Sequence, residues 1–447
     1  LSNCALTDAF PKGIFQMQKL KILDVSYNQD LHGSLPNFPQ VAYLQTLNLS
    51  NTNFSGQLPG TISNLKQLAI VDLSSCQFNG TLPVSLSRLS QLVHLDLSFN
   101  NFTGPLPSLN MSNSLKYLSL FHNALTGPIT STQWEKLLDL ISINLGDNSF
   151  SGKVPSTRFT LPSLQELILS HNGFDGVLDE FTNVSFSNLQ SVDLSNNKLQ
   201  GPIPQSFLHR KSLGYLLLSS NQFNGTIRLD MFHRLQYLQT LGLSHNNLTV
   251  DTTSSGDHGL SAFPNMTNLL LADCNLRKFP SFLKNKSQLV SLDLSNNQNQ
   301  GIIPNWIWRF HDMVHLNLSN NFLTGLEGPL ENISSNMFMV DLHSNQVGLF
   351  LFSQKVLSVW TSQVIDSALY QLILKNTFIS HMSCPFQTIA FMEKSPNPFV
   401  IVLLLECLIF PIIASMAPDM NQHRVHCFFY ESSLKRLLVI TKEKMHT

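Results

Sequence analysis

Charge is what this chain has least of: 12% of its 447 residues are Asp, Glu, Lys or Arg, and the formal net charge is -1. That balance gives no electrostatic case for nucleic acid or an anionic membrane surface. Cysteine is scarce too, six in all and scattered, which excludes a disulfide framework. No Gly-x-Ser-x-Gly elbow, zinc-protease motif, phosphate loop or kinase signature occurs. Ser, Asp and His are plentiful but recur at fixed repeat positions instead of meeting in one constellation, so neither an enzyme nor a cofactor is expected. His122, His171 and His245 share one position on nonadjacent repeats, too far apart to hold one metal. His423-x-x-His426 beside Cys427 is a weak metal spacing. An initiator Met and a signal peptide are absent, and Leu1-Ser2-Asn3-Cys4 matches the second half of a repeat strand. The expectation is a truncated or fragmentary chain.

What is present is a period. The pattern L-x-x-L-x-L-x-x-N occurs fourteen times between Leu20 and Asn345, opening at Leu20, Leu44, Leu68, Leu92, Leu115, Leu140, Leu164, Leu189, Leu213, Leu238, Met266, Leu289, Met313 and Met337. Such a period marks a leucine-rich-repeat solenoid. The fold class is therefore an α/β repeat solenoid, a curved superhelix. A parallel sheet of short strands lines its concave face, irregular or 3-10 turns form its convex face, and an irregular or helical tail follows.

In Leu92-Val-His-Leu95-Asp-Leu97-Ser-Phe-Asn100, alternation turns Leu95 and Leu97 inward and His94, Asp96 and Ser98 outward. Asn100 sits where the chain turns, able to donate to and accept from backbone that the turn would strand. Eleven of the fourteen repeats keep this Asn; Thr52, Cys76 and Cys274 replace it. Two residues on, an apolar plug is expected from Phe54, Phe78, Phe102, Phe150, Phe174, Phe223 and Phe322. Gly and Pro follow, as in Gly56-Gln-Leu-Pro59, where proline should stop the segment from becoming a regular ladder. Ile62, Leu65 and Leu68 have the spacing of a short helical turn closing the convex side.

The extended consensus L-x-x-L-x-L-x-x-N-x-F/L-x-G-x-I/L-P resembles the plant extracellular subclass of leucine-rich repeats. Leu271-Ala-Asp-Cys-Asn-Leu-Arg-Lys-Phe-Pro-Ser-Phe-Leu-Lys-Asn285, followed by Pro304-Asn-Trp-Ile-Trp308, resembles receptor-like proteins of the Verticillium wilt resistance type. That resemblance implies a non-enzymatic recognition module of plant immunity or signalling at the plasma membrane, single-pass with its repeats outside. It also implies an extracellular peptide, protein or glycan ligand, and partner receptor kinases. The alternatives are a secreted (apoplastic) inhibitor of the polygalacturonase-inhibiting type, or a non-functional truncated product.

Residues 1–347 are assigned to the array, a partial first repeat plus fourteen. Periodicity ends there, and 348–398 is left unassigned, either disordered or not native to the array. Residues 399–417 are a candidate transmembrane helix despite Glu406 and Pro411, and 418–447 form a short basic tail. Gln346-Val347 can be encoded across a splice donor, so a read-through intron is a competing origin for the tail.

Most outward strand positions carry Asp then Ser, and departures mark a ligand patch: Tyr117 with Phe121, Glu166 with Ile168, Tyr215 with Leu217. The polar insertion Thr249–His258 is a second candidate contact. Sequons offer glycosylation candidates at Asn53, Asn79, Asn101, Asn110, Asn183, Asn224, Asn247, Asn265, Asn285 and Asn332; those at Asn48 and Asn317 fall within the strand consensus itself.

Overall fold

The computed structural model describes residues 1–346, apart from 131–133, 135, 156–160, 182–187, 253–263, 287 and 329–335. The expected tail elements at 348–398, 399–417 and 418–447 lie outside the described residues, as does most of the Thr249–His258 insertion. Among the described residues no helix is long and apolar enough to cross a membrane.

Fourteen three-residue strands, from Ile22–Asp24 to Met339–Asp341, pair in chain order into one parallel sheet. Each repeat (numbered 1 to 14) contributes one strand, at positions 3 to 5 counted from its opening Leu or Met. Positions 4 and 6 are buried in repeats 1–13, as Leu95 and Leu97 show. These repeats have no independent core; each buries its apolar row only against its neighbours.

The residue before the repeat Asn adopts a left-handed backbone in every repeat, from Tyr27 to Ser344, with φ between 52° and 57°. This conformation costs a non-glycine residue about 1–2 kcal/mol. Its N–H donates to the next repeat's position-7 carbonyl, as Asn51 does to Ser74 at 2.9 Å and Asn196 to Ser219 at 2.9 Å. Cross-repeat bonds thus hold a turn that local sterics disfavour.

The repeat Asn works as the sequence implies. Asn100 Nδ2 donates to the carbonyls of Leu97 and Ser98 at 3.1 Å and to Leu73 of the previous repeat at 2.7 Å. Its Oδ1 accepts the Phe78 N–H at 2.9 Å. The same set recurs at Asn197, Asn221 and Asn321. Cys76 and Cys274 are buried in this slot, where their thiols reach carbonyls at 3.0 Å (Leu49) and 3.5 Å (Ala272). Burial pushes both thiols up.

Three findings differ from the sequence expectations. The segment after the Asn is no irregular turn: ten strands, from Asn28–Gly33 to Asn247–Asp251, form a second parallel sheet. Glycines there take left-handed φ, such as Gly104 at 76°, where a Cβ would lie 2.9 Å from Thr81 Cγ2. Repeat 11 breaks that sheet. It has Lys278 in place of the glycine and reaches Pro280 one residue early, and among its described residues no second-sheet strand forms.

The second difference concerns Phe322, which is one residue out of phase with the plugs. It is exposed, and Leu323 fills the core. Phe54, Phe78, Phe102, Phe150, Phe174 and Phe223 are fully buried, and Phe78–Phe102 and Phe150–Phe174 stack with centroids 6.2 Å apart. Repeat 12 places Asn299 at the plug position, where its Oδ1 has no partner among the described residues.

Third, Ser98 is not an outward filler but is buried. Its N–H and Oγ donate to Asp96 Oδ1 at 2.9 and 2.6 Å, because the left-handed turn that follows draws the serine back over the strand end. On the convex side, 3-10 turns start after proline, except Leu229–Arg234, which follows Arg228; at Gly60–Asn64 the Ile62 N–H donates to the Pro59 carbonyl at 3.0 Å. That turn buries Ile62, Leu65 and Leu68.

Candidate functional site: the concave sheet

Strand alternation leaves positions 3, 5 and 7 of each repeat on the concave side. In repeats 1–4 the position-5 side chain is Asp24, Asn48, Asp72 or Asp96. Each accepts both the N–H and the Oγ of the serine two residues on, Ser26, Ser50, Ser74 or Ser98. This clasp closes the strand end and returns as Asp193–Ser195 in repeat 8 and Asn317–Ser319 in repeat 13.

Repeats 5–7 and 9–11 lose the two-bond clasp, and repeat 6 keeps only the backbone half, the Gly146 N–H donating to Asn144 Oδ1 at 3.1 Å. Phe121 takes the serine position in repeat 5 and Gly146 in repeat 6, while Ile168 takes the acid position in repeat 7. A Cβ on Gly146 would lie 3.2 Å from Phe121 Cδ2 and 3.3 Å from Ile168 Cγ2. The glycine therefore lets side chains from both neighbouring repeats close over it. Leu217, Gly242 and Leu270 occupy position 5 of repeats 9, 10 and 11 in register. A Cβ on Gly242 would lie 3.0 Å from both Leu217 Cδ2 and Ser219 Oγ. Under these neighbours Thr240–Gly242 is buried at all three residues.

The six residues singled out from sequence fall into this frame, but not as one cluster. Phe121 and Ile168 flank one glycine, and Leu217 covers the other. Tyr117, Glu166 and Tyr215 stand at position 3, in register across Ser142 and Ser191. Four strand spacings separate the two tyrosines, about 19 Å. Both are 43% exposed, and the Tyr215 hydroxyl donates to Gln239 Oε1 at 2.7 Å. Glu166 accepts a 2.6 Å bond from Ser142 Oγ. The Tyr117 ring lies 5.9 Å from that of His94, and at the far end of these strands Phe99 stands edge-on to Phe121 at 5.2 Å with His122 at 5.2 Å from Phe99.

Sequence inspection passed over Gly146, Gly242 and Leu270. The available signal was a glycine at a concave position lying one repeat from a bulky apolar residue at such a position.

His122 pairs with Asp147, and His171 Nε2 lies 3.1 Å from Asn196 Nδ2. Among the described residues no group of three His, Cys, Asp or Glu is placed to hold a metal. Asn53, Asn79, Asn101, Asn224 and Asn247 are exposed on the second sheet, with Asn79 paired to Asn101 and Asn224 to Asn247. Asn265 is exposed and Asn110 half-buried; Asn285 ends the turn Ser281–Asn285. Asn183 and Asn332 lie outside the described residues.

The family profile described as leucine-rich repeat region matches residues 4–298, and a leucine-rich-repeat profile matches 288–310. The chain belongs to the leucine-rich-repeat family. It is 40% identical over 79 residues to Receptor-like protein 49 of Arabidopsis thaliana, a match covering 17% of this chain and 9% of that protein. Against Receptor like protein 22 of the same plant the identity is 48% over 75 residues, covering 17% and 10%. The matches thus span about a tenth of these relatives. Among solved structures, the Arabidopsis receptor kinase HAESA ectodomain, in complex with an IDA peptide hormone, superposes with a TM-score of 0.66. Its identity is 29%, over 77% of this chain and 57% of that one.

Proposed function

We propose that this leucine-rich-repeat chain is a non-enzymatic recognition module of a plant cell-surface receptor-like protein, and that an extracellular ligand binds its concave sheet. The observation that carries this reading is the paired loss of the Asp–Ser clasp in repeats 5–7 and 9–11. There, apolar and aromatic groups replace hydrogen-bonded polar ones on a rigid face. A neighbour of the same architecture that binds a peptide hormone supports a peptide as first choice of ligand. Signalling through partner receptor kinases and a plasma-membrane location are part of the same proposal, supported by likeness to receptor-like proteins. Glycans on the second-sheet asparagines would leave the concave face bare, since none of the ten candidates occupies position 3, 5 or 7.

The test is binding of the full chain to arrayed secreted peptides and cell-wall oligosaccharides. It is repeated with Tyr117, Phe121 and Tyr215 all changed to Ser. A ligand that the wild type holds and the triple variant loses, with unchanged circular dichroism, supports the proposal. No ligand on the array, or equal binding by the variant, overturns it.

A further inference from the structure

The two unclasped blocks are arranged about repeat 8. Phe121, Gly146 and Ile168 span repeats 5–7, and Leu217, Gly242 and Leu270 span repeats 9–11. Between them Asp193 pairs in register with Ile168 on one side and Leu217 on the other. Its Oδ1 accepts both bonds from Ser195, at 2.9 and 2.6 Å, and among the described residues nothing engages Oδ2. A half-exposed carboxylate is thus held at a fixed point between two apolar plates.

Two further observations bear on what would sit there. No Lys or Arg stands at position 3, 5 or 7 in any of the fourteen repeats, whereas Asp24, Asp72, Asp96, Glu166, Asp193, Asp293 and Asp341 do. Any cation meeting Asp193 must therefore come from outside the concave face. Ser219, 7% exposed, has lost its clasp partner to Leu217, and among the described residues its Oγ has no hydrogen-bond partner. That hydroxyl points over Gly242, at the inner rim of the second plate.

We infer that the ligand site is tripartite, taking a peptide segment whose Lys or Arg pairs with Asp193 while an apolar side chain on each side lies on a plate. This rests on the concave face being the ligand surface, and it adds the chemistry of that ligand. The plate centres at repeats 6 and 10 are each two strand spacings from repeat 8, about 10 Å. An extended chain covers that distance in about three residues. Apolar groups about three residues either side of a cation therefore match the spacing. A cation desolvated between apolar walls is attracted more strongly than one in open solvent, and its pairing selects sequence as well as binding it.

The structure supplies a clean probe of the charge. Asn48 and Asn317 hold the serine clasp as well as Asp does. Asp193→Asn therefore removes the charge and keeps the strand end. The experiment displays random heptapeptides to the full chain, then measures selected peptides against wild type, Asp193→Asn and Leu217→Ser. Enrichment of a Lys or Arg flanked by apolar residues is expected. Binding should weaken about tenfold in Asp193→Asn, with much of its salt dependence lost, and by a similar factor in Leu217→Ser. Cation-free peptides that still require Tyr117 and Tyr215, or equal binding by Asp193→Asn, overturn this inference and leave the concave-face reading standing. A library that yields no enrichment overturns both.

Discussion

Repeats 1–4 and repeats 9–11 share a backbone and differ in what closes the end of each concave strand. In the first group a carboxylate or amide accepts two bonds from a serine two residues later. In the second, Leu217, Gly242 and Leu270 take the acceptor position, and Leu217 and Ser219 of repeat 9 pack over the glycine of repeat 10. The left-handed turn that follows is the same in both, with φ of 52° at Phe99 and 57° at Ser220. The clasp is therefore not required to form the turn. Repeats can give it up where the concave face has another use, because the asparagine ladder beneath carries the fold.

That comparison breaks if the ladder is weaker under the unclasped repeats. Asn100→Ala removes three donated bonds and leaves the Phe78 N–H buried without its acceptor. The cost is about 3 kcal/mol, summing one orphaned donor and the carbonyls left behind. Asn221→Ala strips the equivalent set, including the Leu199 N–H. Urea denaturation of the two variants should give the same loss within about 1 kcal/mol. A clearly smaller loss at Asn221 would mean that packing, not the ladder, holds the middle repeats.

The clasp itself should separate the regions by a middling amount. Ser98→Ala removes a buried hydroxyl bonded to a carboxylate and should cost about 1.5 kcal/mol. Ser219→Ala removes a hydroxyl that has no partner among the described residues and should cost nothing or stabilise slightly. Equal losses at both would show that the serine acts through something other than the clasp. Leu217→Asp goes the other way and rebuilds the clasp in repeat 9. It forfeits about 1 kcal/mol of apolar burial and regains a similar amount in hydrogen bonds, so the midpoint should hardly move. The Gly242 surface should meanwhile open to solvent, seen as faster amide exchange there.

How much of this could be read from sequence follows from which signals are periodic. The Leu rows, the Asn slot and the six in-phase Phe plugs recur at one spacing, so the fold was legible. Phe322 misled because it follows its Asn directly, and a pattern of Asn then Phe looks like a plug until its register is counted. The second sheet left no alternation to see: Asn101-Phe-Thr-Gly-Pro105 buries one residue and then turns at a glycine. Ser98 was misplaced because strict alternation ignores the left-handed residue that follows it. The candidate site was half legible. Bulky departures such as Phe121 and Leu217 stand out against Asp and Ser, whereas Gly146 and Gly242 make the plates possible by having no side chain.

The smallest expected effect lies outside the concave face and tests whether the contrast is confined to it. Glu180 of repeat 7 reaches the start of the repeat-8 turn Gln205–His209, accepting from the Gln205 N–H at 2.6 Å and from Ser206 N–H and Oγ at 2.9 and 2.5 Å. Burial pushes its carboxyl up, but the Ser206 hydroxyl, the two N–H groups and nearby His209 outweigh that and hold it below its ordinary value. A carboxyl lowered on folding stabilises above its unfolded value, near 4.5, and that contribution disappears as pH falls through the folded value. Glu180→Gln should therefore melt slightly below wild type at pH 7, and the gap should close on acidification through the carboxylate range. Because Glu180 itself is exposed, the gap should also be small. Amide exchange at Ser191–Asp193, the concave strand of the same repeat, should be unchanged throughout. A shift there would mean that the turn and the concave strand of a repeat respond together, and the clasped and unclasped regions could no longer be treated as differing in one face alone.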